Sequence, residues 1–135
     1  MTGIYALIQY HGLLEFREGV PGRMLGDTDP QHNSARAFTI QRAMWGGNGL
    51  QGHVASASLL TDAYSPNPIA TALVAALGGP QEYIFGSLTI CAAQVTPDSK
   101  EPLLSGLTDA QQDLIQDVHT AVSKEAANRI RLEYR

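Results

Sequence analysis

The chain has a single cysteine, Cys91. No internal disulfide can form, and a reducing compartment, the cytoplasm, is the economical reading. Charge is scarce as well: 16% of residues are Asp, Glu, Lys or Arg, against about a quarter in average proteins. The net charge of -4 argues against a nucleic-acid partner, because wrapping a phosphate backbone needs a concentrated positive patch. The nearest approach to one is Arg129, Arg131 and Arg135, with Glu133 among them. No apolar run reaches the roughly 20 residues of a membrane-crossing helix, and the N-terminus lacks the basic region and apolar core of a signal peptide, so no membrane partner is expected. Internal repeats, low-complexity tracts, a serine elbow, a P-loop and paired zinc motifs are also missing from the sequence.

What is there fits one domain. A chain of 135 residues buries roughly two thirds of its unfolded surface, and low charge at this size points to further burial in an oligomer. Residues 3–10, GIYALIQY, read as a nearly continuous apolar strand inside a sheet. His11-Gly12 turns the chain into a short strand at 13–16, LLEF. Residues 19–32 combine prolines, glycines and acidic turn formers into a loop expected to be the most mobile internal segment. Asn33 or Ser34 is placed to cap a helix through Met44, with Ala37, Phe38, Ile40, Ala43 and Met44 on its apolar face and Gly46-Gly47 as its stop. A strand follows at once.

SPNP at 65–68 sets up a second helix, PIATALVAAL, closed by Gly78-Gly79. It is apolar almost all round, which predicts that it is buried or covered by another subunit. Residues 82–95, EYIFGSLTICAAQV, form the best strand of the chain, with Gly86 a bulge or a point of close approach. Thr108 and Gln111 make a capping box that opens a long amphipathic helix on Leu114, Ile115, Val118, Ala121 and Val122. The last eight residues, NRIRLEYR, suit an edge strand or the end of that helix. Strands and helices around one sheet predict an α+β fold, a two-layer α/β sandwich of ferredoxin-like or related type.

Most chemical-looking motifs have plainer readings. Asp27, Asp29 and His32 are metal-ligand residue types, but they lie in the Gly/Pro loop, where Asp is a common turn former. GGNG at 46–49 closes a helix and opens a strand, the reverse of a phosphate cradle. Cys91 sits within LTICAA, an apolar setting that raises a thiol pKa, so it reads as core. His11 and His119 have no local partner that marks either as a base.

Residues 46–64, GGNGLQGHVASASLLTDAY, are more informative. The strand alternates yet carries almost nothing large. Gly52, Ala55, Ser56, Ala57 and Ser58 admit something close, and His53, Ser56, Ser58, Thr61, Asp62 and Tyr64 supply hydrogen-bonding groups beside it. Such a combination suits a ligand pocket; equally, small residues seat a packed helix or a neighbouring subunit.

The pattern Gly49-Leu50-x-Gly52-x-Val54-x-Ser56, followed by Leu60-Thr61-x-x-Tyr64, resembles a segment of the phage-encoded S-adenosylmethionine-degrading enzymes, together with the opening strand IYALIQ, a helix ARAFTIQRAM before the motif and a Pro80-x-Glu82 entry into the next strand. The resemblance spans residues 4–90 on some fifteen positions. It implies a trimeric sandwich of the nitrogen-regulator type, working in the host cytoplasm with sites between subunits. The implied activity is a lyase that splits S-adenosylmethionine into methylthioadenosine and homoserine lactone, depleting the methyl donor of restriction-modification systems. No cofactor or metal is implied, because the sulfonium leaving group is already activated and the protein has mainly to hold the substrate folded. By this resemblance Glu82 binds the substrate ammonium, Tyr64 orients that group or lays its ring near the sulfonium, and His53, Ser56, Ser58, Thr61 and Asp62 line the site. The chain departs from the pattern at Ala55, where a glutamate is expected. Two other readings stand beside this one: a binding or sequestering module without turnover, and a phage structural or assembly protein of similar fold.

Overall fold

A computed structural model describes residues 3–19, 35–42, 48–55, 64–94 and 103–133. Among them the fold is α+β, a six-stranded antiparallel sheet with two helices. The strands are β1 (Gly3–Ile8), β2 (Leu14–Gly19), β3 (Ala35–Gln41), β4 (Gly49–Ala55), β5 (Leu88–Gln94) and β6 (Leu103–Ser105); the helices are α1 (Pro68–Ala76) and α2 (Asp109–Glu133). The sheet order is β2-β1-β5-β4-β3, so the apolar β1 is flanked on both sides as its sequence predicts. β6 pairs with Ala92, Ala93 and Gln94 of β5, beyond the stretch that β1 occupies.

Alternation assigns the two faces. Ala6 and Ile8 of β1, Leu50 and Val54 of β4, and Leu88, Ile90 and Ala92 of β5 point to one side. There they meet Ala70, Leu73, Val74 and Leu77 of the first helical segment, and Leu107 and Ile115 at the second. Tyr5, Leu7 and Cys91 form a smaller cluster on the other side. Both helices therefore cover the same face.

Helix ends follow the sequence signals. Gly79 N–H donates to Val74 O (2.9 Å) and Gly78 N–H to Ala75 O (3.1 Å), the paired bonds of a Schellman stop, with Gly78 at φ 95°. The capping box is formed in both directions: Gln111 N–H donates to Thr108 Oγ1 at 3.1 Å, and Thr108 N–H donates to Gln111 Oε1 at 3.0 Å. The C-terminal ambiguity resolves to helix through Glu133. The apolar α1 buries Ala70, Leu73 and Val74, while Pro68, Ala72, Ala75 and Ala76 are exposed.

Two expectations are corrected. The helix expected from residue 33 or 34 to 44 is strand β3 over Ala35–Gln41. Phe38 and Ile40 fit a helical face and a strand face alike over so short a window, and the decision comes from β4, which pairs with β3 from Ala35↔Ala55 to Gln41↔Leu50. A bulge at Thr39/Gln41 turns the end of β3 toward α1. Ile40 is buried there, and Gln41 Nε2 donates to Leu77 O at 2.9 Å. The best strand begins at Leu88, not at Glu82. Residues 84–86 are drawn away from the sheet: Asn67 N–H donates to Ile84 O at 2.8 Å and Gly86 N–H to Ser65 O at 2.7 Å. Gly86 is indeed a point of close approach, since a β-carbon there would lie 3.0 Å from Tyr64 Cδ1.

Of the loop expected at 19–32, Gly19 is the last residue of β2, and the rest, with Asp27, Asp29 and His32, lies outside the described residues. No helix among the described residues is long and apolar enough to cross a membrane.

Candidate functional site

Asn67 organises one end of the molecule. Its side chain is fully buried, and Oδ1 accepts from Ala70 N–H at 3.1 Å, capping α1. Nδ2 donates to Gln9 O and Gly86 O, each at 2.9 Å, and to Ile8 O at 3.3 Å. Thr71 adds a second tie: its hydroxyl donates to Asn67 O and accepts from Ile84 N–H, both at 2.9 Å. The start of α1, the end of β1 and residues 84–86 are thereby locked together.

Beside this knot lies a cleft of about 490 Å³ between α1 and residues 81–85, lined among others by Pro66, Thr71, Ala75, Glu82, Tyr83 and Phe85. That volume falls within the range of small-molecule sites. Its rings are Tyr83, which is 83% exposed, and the half-buried Phe85. Its carboxylate, Glu82, is exposed and meets the Arg36 guanidinium of β3 at 3.3 Å. Arg36 in turn stands 5.7 Å from the centroid of the Phe38 ring. Tyr64 packs on Gly86, next to Phe85. The cleft thus offers a partly neutralised negative charge and aromatic surface, together with a hydroxyl already committed to backbone partners.

His53 stands elsewhere. It pairs with Thr89 of β5 and Ala37 of β3, on the sheet face away from the helices. Arg36, which holds Glu82, pairs with the core residue Val54 and so projects to the helix side. His53 and Glu82 are therefore on opposite faces of the sheet and do not meet within one chain. His53 is 6% exposed and its Nδ1 has no hydrogen-bond partner; burial pushes its pKa below the usual 6.5, leaving the ring neutral. Ala55, at the position of the expected glutamate, is buried. Ser56, Ser58, Thr61 and Asp62 lie outside the described residues.

The reading of GGNG at 46–49 as a helix stop falls with the expected helix, since the element before it is strand β3, whereas the core reading of Cys91 holds. Cys91 is buried and its thiol is pushed up to about 12 by desolvation, as suits a core residue. His119 Nε2 lies 2.7 Å from Gly12 O, to which it donates, tying α2 to the β1–β2 turn. No cluster of metal-ligating residues occurs among the described residues.

Sequence reasoning missed Arg36 and Thr89 and gave Asn67 only a place before a helix. The Asn67-Pro68 pair does signal a cap, but its three carbonyl partners depend on the path of distant chain. No protein-family model matches the chain, nor does any curated protein or solved structure.

Proposed function

We propose that the cleft beside α1 binds S-adenosylmethionine, and that the protein cleaves it to methylthioadenosine and homoserine lactone as a counter-defence lyase. The observation that supports this reading is the placement of Glu82 with Tyr83 and Phe85 on one cleft of suitable size. The substrate carries two positive charges, ammonium and sulfonium, on an otherwise compact body. Glu82 matches the ammonium, and aromatic faces attract a sulfonium by about 1 kcal/mol or more when water is excluded.

The chemistry asks little more of the protein. An oxygen of the substrate's own carboxylate attacks the carbon next to the sulfonium; the C–O bond of the lactone forms, the C–S bond breaks, and its electron pair returns to sulfur as a neutral thioether. No protein nucleophile is consumed and no proton moves. Holding the chain of the substrate folded in a near-attack conformer supplies the rate. In this role Tyr64, packed against Gly86, orients the reacting groups from beyond Phe85. A homotrimer, in a ferredoxin-like or nitrogen-regulator-like arrangement with sites between subunits, completes the reading. The exposed alanine side of α1 is the surface it assigns to subunit contact.

Two observations favour binding without turnover. Ala55 brings no carboxylate, and Glu82 is already engaged by Arg36. Incubating the protein with S-adenosylmethionine and resolving the products by chromatography decides between the two: methylthioadenosine in stoichiometric excess over protein marks the lyase, and saturable calorimetric binding with no product marks the sequestering module. Absence of both outcomes rejects the reading. Light scattering tests the trimer, and a mass near 14.5 kDa at micromolar concentration rules it out.

A further inference from the structure

Burial alternates along the wall of the cleft that leads into β5. Tyr83 is 83% exposed and Ile84 is buried, whereas Phe85 is half-buried and Gly86 is buried again. Ile84 belongs to the core cluster that α1 covers, so Tyr83 and Phe85 share the side facing away from that core. The backbone between them is pinned: Ile84 N–H donates to Thr71 Oγ1, Ile84 O accepts from Asn67 N–H, and Phe85 bridges to Pro66. Both rings line the cleft. Neither has a ring contact among the described residues, so they do not stack on one another. Residues two apart on an extended chain stand about 7 Å apart, with side chains roughly perpendicular to it. That is twice the contact distance of about 3.5 Å between stacked carbon atoms, so one planar ring fits between the two.

We infer that Tyr83 and Phe85 form an aromatic clamp that takes the purine base of the ligand between their faces. The inference rests on the S-adenosylmethionine reading and divides the cleft: the base goes between the two rings, the ammonium to Glu82, and the sulfonium toward Tyr64, which packs on Gly86 beside Phe85. A large ring left in water at the rim of an apolar cleft is the kind of exposed apolar surface that marks a binding site. A base that enters removes water from both rings, and stacking on one aromatic side chain raises affinity roughly five- to 150-fold. Across the cleft, Ala72 and Ala75 of α1 are exposed and carry only a methyl group, which leaves room for the base. Stacking tolerates any base because each has a π-face. The clamp therefore selects for a planar base, and Glu82 selects for charge.

Adenosine, which carries the base and neither positive charge, is the probe that separates the clamp from the rest of the cleft. Titrated by calorimetry, it is expected to bind at millimolar concentration or below. Tyr83→Ala is expected to weaken adenosine and S-adenosylmethionine at least tenfold each with an unchanged melting temperature, because the ring is exposed and supports no core contact. Tyr83→Phe and Tyr83→Trp should keep the affinity, since the stack needs a ring and not a hydroxyl, and Glu82→Gln should weaken S-adenosylmethionine alone. Adenosine that fails to bind the parent, or that binds Tyr83→Ala as tightly as the parent, overturns the inference. The lyase reading fails separately. Ring-dependent adenosine binding without methylthioadenosine formation leaves the clamp and removes the reaction, whereas product formation with full S-adenosylmethionine affinity in Tyr83→Ala leaves the reaction and removes the clamp.

Discussion

Phe38 of β3 lays its ring over Gly52 of β4, the residue it faces in the strand register. A β-carbon on Gly52 would lie 2.6 Å from Phe38 Cζ and 2.9 Å from Cε2. The small residues at the start of the 46–64 stretch therefore admit a side chain of the neighbouring strand. Neither a helix nor a ligand is what comes close at Gly52. An aromatic ring laid across a strand glycine also restores the packing surface that the glycine lacks, and it ties β3 to the sheet at a point where the bulge interrupts the ladder.

Gly52→Ala is accordingly expected to destabilise the fold by about 1 kcal/mol, and Gly52→Val by about 2–3 kcal/mol, as the ring is forced out. Phe38 is only half-buried, which gives the ring room to swing and keeps the first value low. In the background of Phe38→Leu the Gly52→Ala cost should shrink to a few tenths of a kcal/mol, a coupling that denaturant unfolding of the four proteins in a double-mutant cycle measures.

Asn67 permits a sharper test of its two jobs. As a helix cap, asparagine is matched by aspartate. As a donor to Ile8 O, Gln9 O and Gly86 O it is not, because a carboxylate there faces three carbonyl oxygens. Asn67→Ala should cost about 3 kcal/mol, combining a lost cap with stranded buried carbonyls. Asn67→Asp should cost at least as much at pH 7. An aspartate variant as stable as the parent in urea unfolding would reduce Asn67 to a cap alone.

Local signals were legible where one segment sufficed. The Schellman glycines, the capping box and the apolar runs of β1 and α1 all state their structure within a few residues, because their bonds close within one turn. β3 was not legible, since Phe38 and Ile40 satisfy either period and the choice rests on Gly52, fourteen positions away. The strand beginning at Leu88 was overextended for a similar reason: the backbone of residues 84–86 finds its partners in Ser65, Asn67 and Thr71. The site was half legible. His53 and Glu82 are visible as polar groups, but strand parity sends one away from the helices while the Arg36 pair holds the other on the helix side. That His53 stands beside Thr89 needs the β4–β5 register, which no local pattern encodes.

The pH dependence of stability follows from His53. Burial lowers its pKa in the folded protein below the usual 6.5, so between those two pKa values the unfolded chain holds more protons than the folded one. Stability from this group is complete above about pH 6.5 and falls as the solution is acidified toward the folded pKa. Urea midpoints at pH 7.5, 6.5 and 5.5 should decline in that order, and His53→Gln should remove the decline attributable to this ring. A slope unchanged in that variant assigns the acid sensitivity to other groups.

The Arg36–Glu82 pair makes a prediction of its own for the cleft. Both side chains are about half exposed and meet at one 3.3 Å contact, the kind of pair worth about 0.2–1 kcal/mol. A cationic ligand that binds Glu82 must compete with that guanidinium. Arg36→Gln should therefore tighten S-adenosylmethionine binding by up to about fivefold, since about 1.4 kcal/mol corresponds to a factor of ten. Glu82→Gln should weaken it by about tenfold or more, because hydrogen bonds to charged groups contribute about 1.5–3 kcal/mol. Tyr64→Phe should lower turnover with little change in melting temperature, as one hydroxyl is lost without a large void. Calorimetry on the first two variants and product formation by the third keep affinity and chemistry apart. If Arg36→Gln binds no more tightly than the parent while Glu82→Gln still loses affinity, the arginine is a bystander and Glu82 alone reads the charge. Equal affinity in all three proteins would move the ligand out of this cleft.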